Sequence, residues 1–301
     1  MPHGQWSITS SVVFERSLCS SVWRPEEVAI SAPFNIADAV RDLQTKGISS
    51  CKQAFSRDWG LRMRDDIEVA FDEAIRRPGG AVGRGPHRLY VEIHPQQFSG
   101  FVDLMTHPWV AGVCATVLGP DWKAVEIGFD IPFEGAADQP WHRDFPSPPE
   151  TYERGKLTSL AFNLTAVDTI PEMGPLEVAE GTQWERGEDF VDGMFPPREQ
   201  WPRYEAVAAA KLPQMGDVSV RSALTVHRGT ANHSSFARPV LVLGVDAPGA
   251  GHDLLHDPMV TPEFWDHLPT QVRDHLHCSV VDTLVPITQK HQIAGLVEGV
   301  R

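Results

Sequence analysis

The stretch "ALTVHRGTANHSSFARPVLVLGVD", residues 223–246, decides how the rest of the chain is read. Two short apolar runs, 223–226 and 239–245, flank a polar segment rich in Gly, Thr, Asn and Ser. Val, Leu and Thr in runs of this length, bounded by turn residues, predict two strands joined as a hairpin. His227 closes the first run, and Arg238 opens the second eleven positions later. A hairpin would bring the imidazole and the guanidinium alongside one another. The guanidinium is a planar fork suited to a carboxylate.

The same texture extends upstream. "KAVEIGFDIPF" (123–133), "KLTSLAFNLTAV" (156–167), "GPLEVAEG" (174–181) and "GDVSVRS" (216–222) each read as a strand, as do 223–229 and 238–246. Short strands separated by Gly, Pro and Asp predict an antiparallel sandwich or barrel. Before residue 120 the pattern is largely helical. Ile36, Val40 and Leu43 have helical spacing in 36–47, and Gly47 ends that run. A strand over 48–55, a helix over 65–80 and one broken helix or two short ones over 100–119 follow. In "GPHRLYVEIHP" (85–95) alternation puts Arg88, Tyr90, Glu92 and His94 on one face, a polar wall for a pocket or an ordinary half-buried strand. The aromatic-studded segment 183–205 is long enough to be a lid. The expected organisation is one domain over 1–301. Its parts are an N-terminal arm (1–35) and helices up to 120, a β core over 121–246, and a helical C-terminal segment over 247–301.

Composition narrows the class. The 301 residues are 42% hydrophobic and 22% charged, ordinary for a globular chain. A net charge of −14 disfavours nucleic acid and anionic membranes as partners and leaves a small molecule as the expected one. Cys19, Cys51, Cys114 and Cys278 are scattered, without CxxC spacing, and read as reduced thiols of a cytoplasmic protein. No basic-then-apolar leader and no apolar run of spanning length is evident. Oligomeric state is not set by any of these features.

Chemistry concentrates in "DQPWHRDFPSPPE", residues 138–150. On a strand, His142 and Asp144 would point to the same face. With a second histidine they would form a 2-His-1-carboxylate facial triad, which holds iron(II) and leaves positions open. His-X-Asp alone is common by chance, so its weight comes from the company of His227 and Arg238. His233 competes with His227 but lies in a polar loop context. His252 and His256 have i, i+4 spacing in "GHDLLHDP", without the glutamate of HExxH and with Pro258 close by, and read as a surface turn. His275 and His277 read as solvated positions on a C-terminal helix. Gln139 and Asn163 are polar positions able to meet a carboxylate. Trp141, Phe145, Trp184, Phe195 and Trp201 are aromatics for a pocket, a lid or the core.

In order, His142-Arg143-Asp144, "GPLEVAEGTQW" and "VHRGTANHSSFAR" resemble the phytanoyl-CoA hydroxylase family of Fe(II)/2-oxoglutarate-dependent dioxygenases, over about residues 85–246. The resemblance implies a mostly β fold with flanking helices around a double-stranded β-helix, the jelly-roll or cupin-like barrel. It implies His142, Asp144 and His227 as iron ligands and Arg238 as the anchor of the distal 2-oxoglutarate carboxylate. Thr230 falls near a family hydroxyl that helps bind the co-substrate, offset by one, and Asn232 matches an asparagine of the His–Arg loop. Gln139 and Asn163 would face the inner carboxylate, with Arg88, Tyr90, Phe145 and Trp184 toward the primary substrate. This sequence has Glu180-Gly181-Thr182-Gln183 where the family has Pro-Gly-Ser-His, and Arg228 precedes Gly229 where glycine usually follows the histidine directly. Asp144 disfavours a halide site. The expected reaction uses O2 and 2-oxoglutarate, releases succinate and CO2, and hydroxylates, desaturates or cyclises a small organic molecule, as in secondary metabolism. Two alternatives stay open: an iron oxygenase without 2-oxoglutarate, and a barrel-fold binding protein without turnover.

Overall fold

A computed structural model describes residues 34–147, 149–290 and 292–297. The proposed N-terminal arm, apart from its last two residues, and Cys19 lie outside them. Helix α1 (Ile36–Thr45) starts from Asn35, whose side chain caps the Ala37 amide, and turns into β1 (Ile48–Cys51). Helix α2 (Arg57–Ala74) begins eight residues before the 65–80 segment expected from the sequence. Ser56 caps it, and Trp59, Met63, Ile67, Ala70 and Ala74 form its buried stripe. Strands β2 (Val82–Gly83) and β3 (Arg88–Glu92) follow, then α3 (Phe101–Thr106) and α4 (Pro108–Leu118), two short helices broken at His107 before Pro108.

The remaining strands are β4 (Lys123–Pro132), β5 (Ser159–Thr165), β6 (Leu176–Ala179), β7 (Ala208–Lys211), β8 (Val218–Ser222), β9 (His227–Gly229) and β10 (Val240–Asp246). They form a seven-stranded antiparallel sheet, β1-β8-β5-β10-β4-β3-β2, and a three-stranded sheet, β7-β6-β9. An antiparallel bridge between His142 and His227 extends the smaller sheet. From β4 onward the chain passes repeatedly between the two sheets, which is the jelly-roll topology. No helix among the described residues is long and apolar enough to cross a membrane.

The hairpin expected between 223–229 and 238–246 does not form. β9 pairs with β6, while β10 pairs with β4 and β5 in the opposite sheet. Nor is 223–226 a strand: Thr225 N–H returns to Ser222 O at 3.1 Å, and the turn carries the chain from one sheet to the other. The apolar run is there because this crossing is buried.

Period-two alternation divides the large sheet between two tasks. Leu160, Phe162 and Leu164 of β5, Leu241, Leu243 and Val245 of β10, and Ile127, Phe129 and Ile131 of β4 point outward into a core shared with α1–α4. Their neighbours Asn163, Thr165, Glu126, Asp130 and Arg221 line a cavity of about 190 Å³ between the sheets. The helical layer thus buries the apolar face, leaving the polar face to the barrel interior. Beyond β10 the C-terminal segment holds short helices (Pro262–His267, Thr270–Arg273 and Ala294–Val297) and a two-stranded pairing of Met259–Val260 with Ser279–Val280.

Candidate metal centre

His142, Asp144 and His227 converge, with their donor atoms all within 4.8 Å of one another. The backbone makes this meeting: His142 N–H donates to His227 O at 3.0 Å, and His227 N–H donates to His142 O at 2.8 Å. Each imidazole is oriented from behind by a carbonyl. His142 Nδ1 lies 2.8 Å from Pro140 O, and His227 Nδ1 lies 2.9 Å from Thr225 O. A carbonyl can only accept, so both Nδ1 atoms carry the proton, and both Nε2 lone pairs are left for the centre. Burial holds both imidazoles neutral, lowering His142 to about 4 and His227 well below the ordinary histidine range, with Arg221 adding to the effect on His227.

Arg221 is the residue that the sequence reading missed. Its Nη1 donates to Asp144 Oδ2 at 2.7 Å and its Nη2 to Oδ1 at 3.2 Å, a bidentate grip on the carboxylate ligand. Burial alone would raise the Asp144 pKa, but Arg221 and then His227 outweigh it and bring it to about 2. The sequence carried one signal: Arg221 interrupts the otherwise apolar or small-residue run "VSVRSALTV" on a strand expected to be buried.

The donors also explain what the site requires. His227 Nε2 lies 3.4 Å from Asp144 Oδ1. A neutral Nε2 is an acceptor and so is the carboxylate, so the lone pairs of both are free to bind a cation. This donor set fits a divalent metal. Two nitrogens and one oxygen on one side of the ion are the facial arrangement suited to iron(II).

Arg238 is 4% exposed and lines the same cavity. Its Nε donates to Met173 O and Gly174 O at 3.2 and 3.1 Å. Gly174 adopts φ +69°, and a Cβ there would collide with the Thr230 carbonyl, so the turn beneath Arg238 needs glycine. Burial, and after it the nearby Arg88, lowers the Arg238 guanidinium to about 10, still charged at neutral pH. Arg88 pairs with Asp130 through Nε and Nη2, whereas its buried Nη1 finds no hydrogen-bond partner among the described residues. A Cβ on Gly229 would overlap the Arg88 guanidinium, which gives the displaced glycine after Arg228 a steric reason.

Other expected site residues are distributed unevenly. Asn163, Gln139, Tyr90 and Phe145 line the cavity. Gln139 is engaged on both ends, with Nε2 to Arg84 O at 2.7 Å and Oε1 from Gly229 N–H at 3.0 Å. Tyr90 donates to Glu126. Thr230 is not part of the lining; its hydroxyl donates to Pro175 O at 2.7 Å. Trp184 is also away from it, with Nε1 on Gln44 O at 3.0 Å. Asn232 ties the loop, donating to Pro132 O and Phe236 O and accepting from Ser234. His233 is exposed.

The segment "GHDLLHDP" is not a surface turn. His252 stacks on Phe145 with centroids 3.9 Å apart, and it is held by Asp246 and Ser159. His256 is buried between Glu92 (3.4 Å) and Glu126 (3.7 Å). Burial works to lower its pKa, but the two carboxylates outweigh it and raise it to about 9. Both histidines line the cavity. His275 and His277 follow the last turn of helix instead of lying in it; His275 stacks on Trp122 at 4.2 Å.

Arg143, between the two first ligands, points the other way. It is 2% exposed and donates to Gly193 O (2.8 Å), Glu185 O (2.9 Å), Arg186 O (2.8 Å) and the Tyr152 hydroxyl (2.5 Å). Its guanidinium also lies 4.7 Å from the Phe190 ring centre. The 183–205 segment is thus fastened to the backbone that carries the metal ligands.

The sequence matches the profile of the phytanoyl-CoA dioxygenase (PhyH) family over residues 39–240, about two thirds of the chain. No curated protein matches it significantly. Among solved structures, the non-heme, α-ketoglutarate-dependent carbocyclase SnoK of nogalamycin biosynthesis superposes with TM-score 0.57 at 21% identity, over 75% of this chain and 94% of that one. EctD from S. alaskensis, solved with 2-oxoglutarate and 5-hydroxyectoine, gives TM-score 0.57 at 16% identity, over 75% and 83%. The epimerase SnoN, solved with Fe3+, α-ketoglutarate and nogalamycin RO, gives 0.52 at 17%, over 70% and 83%. At these identities the structural likeness speaks for the fold. The profile match goes further: this chain belongs to the phytanoyl-CoA dioxygenase family of non-heme iron, 2-oxoglutarate-dependent enzymes.

Proposed function

We propose that the protein hydroxylates an unactivated carbon of a small organic molecule, with His142, Asp144 and His227 holding iron(II) and Arg238 receiving the distal carboxylate of 2-oxoglutarate. The observation that carries this reading is the pair of neutral imidazoles and a carboxylate facing one another with lone pairs inward. When bound, iron and 2-oxoglutarate supply the oxidation: R–H, 2-oxoglutarate and O2 become R–OH, succinate and CO2. The likeness to a carbocyclase and an epimerase keeps ring formation or stereochemical inversion within the range of outcomes for the same site.

The chain's own contributions are positional. The Pro140 and Thr225 carbonyls fix the imidazole planes, and Arg221 fixes the carboxylate. Arg238 offers a buried, charged fork in the cavity wall, where a carboxylate would be shielded from water. The stack on His252 holds Phe145, the residue that follows Asp144. A cavity of about 190 Å³ suits a co-substrate and a compact partner better than a polymer.

The test is anaerobic addition of iron(II) and then 2-oxoglutarate, watching for the weak visible charge-transfer band of the chelate. The band is expected in the native protein, lost in His142→Ala and His227→Ala, and formed only at much higher 2-oxoglutarate in Arg238→Gln. Metal binding without a band would favour an iron oxygenase that does not use 2-oxoglutarate. Failure to take up any divalent metal would leave a binding protein.

A further inference from the structure

The cationic end of the cavity carries more positive charge than the proposed co-substrate uses. Arg84, Arg88 and Arg238 all line it; Asp130 pairs with Arg88 and also acts on Arg238. If Arg238 receives the distal carboxylate of 2-oxoglutarate, Arg84 is left. Arg84 is 8% exposed, and its Nη1 is buried without a hydrogen-bond partner among the described residues. Among the described residues its guanidinium has one recorded contact, the face of the Tyr90 ring, 5.0 Å from the centroid. The Tyr90 hydroxyl is turned to Glu126, so it does not serve Arg84. A buried guanidinium with an unmet donor costs stability unless a ligand completes it.

The position is also held in place. Arg84 N–H donates to Arg88 O at 3.0 Å, and the Arg84 carbonyl accepts from Gln139 Nε2 at 2.7 Å, three residues before His142. Leu296 and Ile293 line the cavity with it and give that wall an apolar side. An oxyanion on Arg84 with an apolar body against Leu296 would lie within the space that also holds the metal ligands.

Resting on the function proposed above, we propose that Arg84 anchors an oxyanion, a carboxylate or a phosphate, of the primary substrate, so that the enzyme acts on small organic acids or their phosphate esters. Arg84 is a binding residue, distinct from the co-substrate anchor Arg238. A guanidinium presents a planar fork of donors, so the subsite selects by charge and geometry.

The test uses protein loaded with iron(II) and saturating 2-oxoglutarate without oxygen, titrated by calorimetry with benzoate, its neutral isostere benzamide, and inorganic phosphate. Benzoate or phosphate is expected to bind, benzamide at least ten-fold more weakly than benzoate. Arg84→Gln should lose at least ten-fold in anion affinity and Arg84→Lys less, with 2-oxoglutarate affinity within two-fold of the parent in both. Which of the two anions binds tells a carboxylate site from a phosphate one. Equal anion affinity in the parent and Arg84→Gln, or no anion binding by the parent, overturns the proposal. So does loss of 2-oxoglutarate affinity in Arg84→Gln, which would make Arg84 the co-substrate residue. Repeating the titration on metal-loaded protein without 2-oxoglutarate separates a failure of the Arg84 subsite from a failure of the oxygenase reading. Melting temperatures of both variants show whether either has simply lost its fold.

Discussion

Removing the Arg143 side chain should loosen the 183–205 segment and, through the backbone it shares with His142 and Asp144, the metal centre. Arg143 gives four hydrogen bonds, three of them to the carbonyls of Glu185, Arg186 and Gly193, from a position 2% exposed. Hydrogen bonds from a charged donor contribute about 1.5–3 kcal/mol each. Three carbonyls left unmet would cost roughly twice that or more, but a loop that swings out recovers water, so about 4 kcal/mol is expected for Arg143→Met. For a chain of this size that is a fall in Tm of roughly 10 °C. Arg143→Lys keeps the charge, but an ammonium is a compact point donor and cannot span carbonyls spread over nine residues, so it should recover little. Hydrogen exchange read by mass spectrometry should show faster exchange over 185–195 in both variants. Iron(II) affinity, read by competition with a chromogenic chelator, should weaken as well. The reasoning fails if Arg143→Met melts within about 2 °C of the parent with unchanged exchange over that stretch.

Arg221→Gln removes the bidentate grip on Asp144 and should weaken iron(II) binding about 10–100-fold, the usual effect of losing a group that orients a ligand; unchanged affinity in the chelator competition would contradict this. Gly229→Ala forces a Cβ onto the Arg88 guanidinium, and overpacking of this kind costs about 1–3 kcal/mol, visible as a lowered urea midpoint. His256 has its pKa raised from 6.5 to about 9, a difference worth on the order of 3 kcal/mol. Because the folded pKa is the higher one, this stabilisation is complete below about pH 6.5 and disappears as pH rises through about 9. Stability measured between pH 7 and 9.5 should therefore fall, and His256→Gln should flatten that slope.

Most of the architecture was legible because the physics that builds it is local. The period-two pattern of β4, β5 and β10 predicts strands, and Gly47 marks the end of the first helical run by its left-handed conformation, whereas the Ser56 cap that starts α2 went unread. The His142, Asp144 and His227 cluster was legible through the ordered motifs that resemble the family, although the segment carrying the first two is not the expected strand but meets β9 through a single bridge at His142. What escaped depends on distant parts of the chain meeting. Nothing near Arg221 announces that it faces Asp144, 77 residues away. The supposed hairpin failed because strand pairing partners are chosen across the whole sheet, and 223–226 is as apolar as a strand for the different reason that it crosses a buried edge. The two histidines of "GHDLLHDP" looked solvated because their partners, Glu92, Glu126 and Asp246, come from β3, β4 and β10.

The barrel interior is polar at a cost that the fold meets elsewhere. Arg88, Glu92, Arg221 and Arg238 are each no more than 5% exposed, and such charges strongly favour unfolding unless paired or hydrogen-bonded. The outward faces of the same strands bury Phe129, Phe162, Leu241 and Leu243 against the helices, and that apolar layer supplies the offset. The division has a consequence for metal binding. Because the helical layer holds the strands in register, the positions of His142, Asp144 and His227 depend on packing at a distance from them. A metal ion would be held only as firmly as that packing fixes the three donors. Softening the helical layer far from the site, for example with Phe162→Ala, should therefore lower metal affinity along with stability, although Phe162 touches none of the ligands.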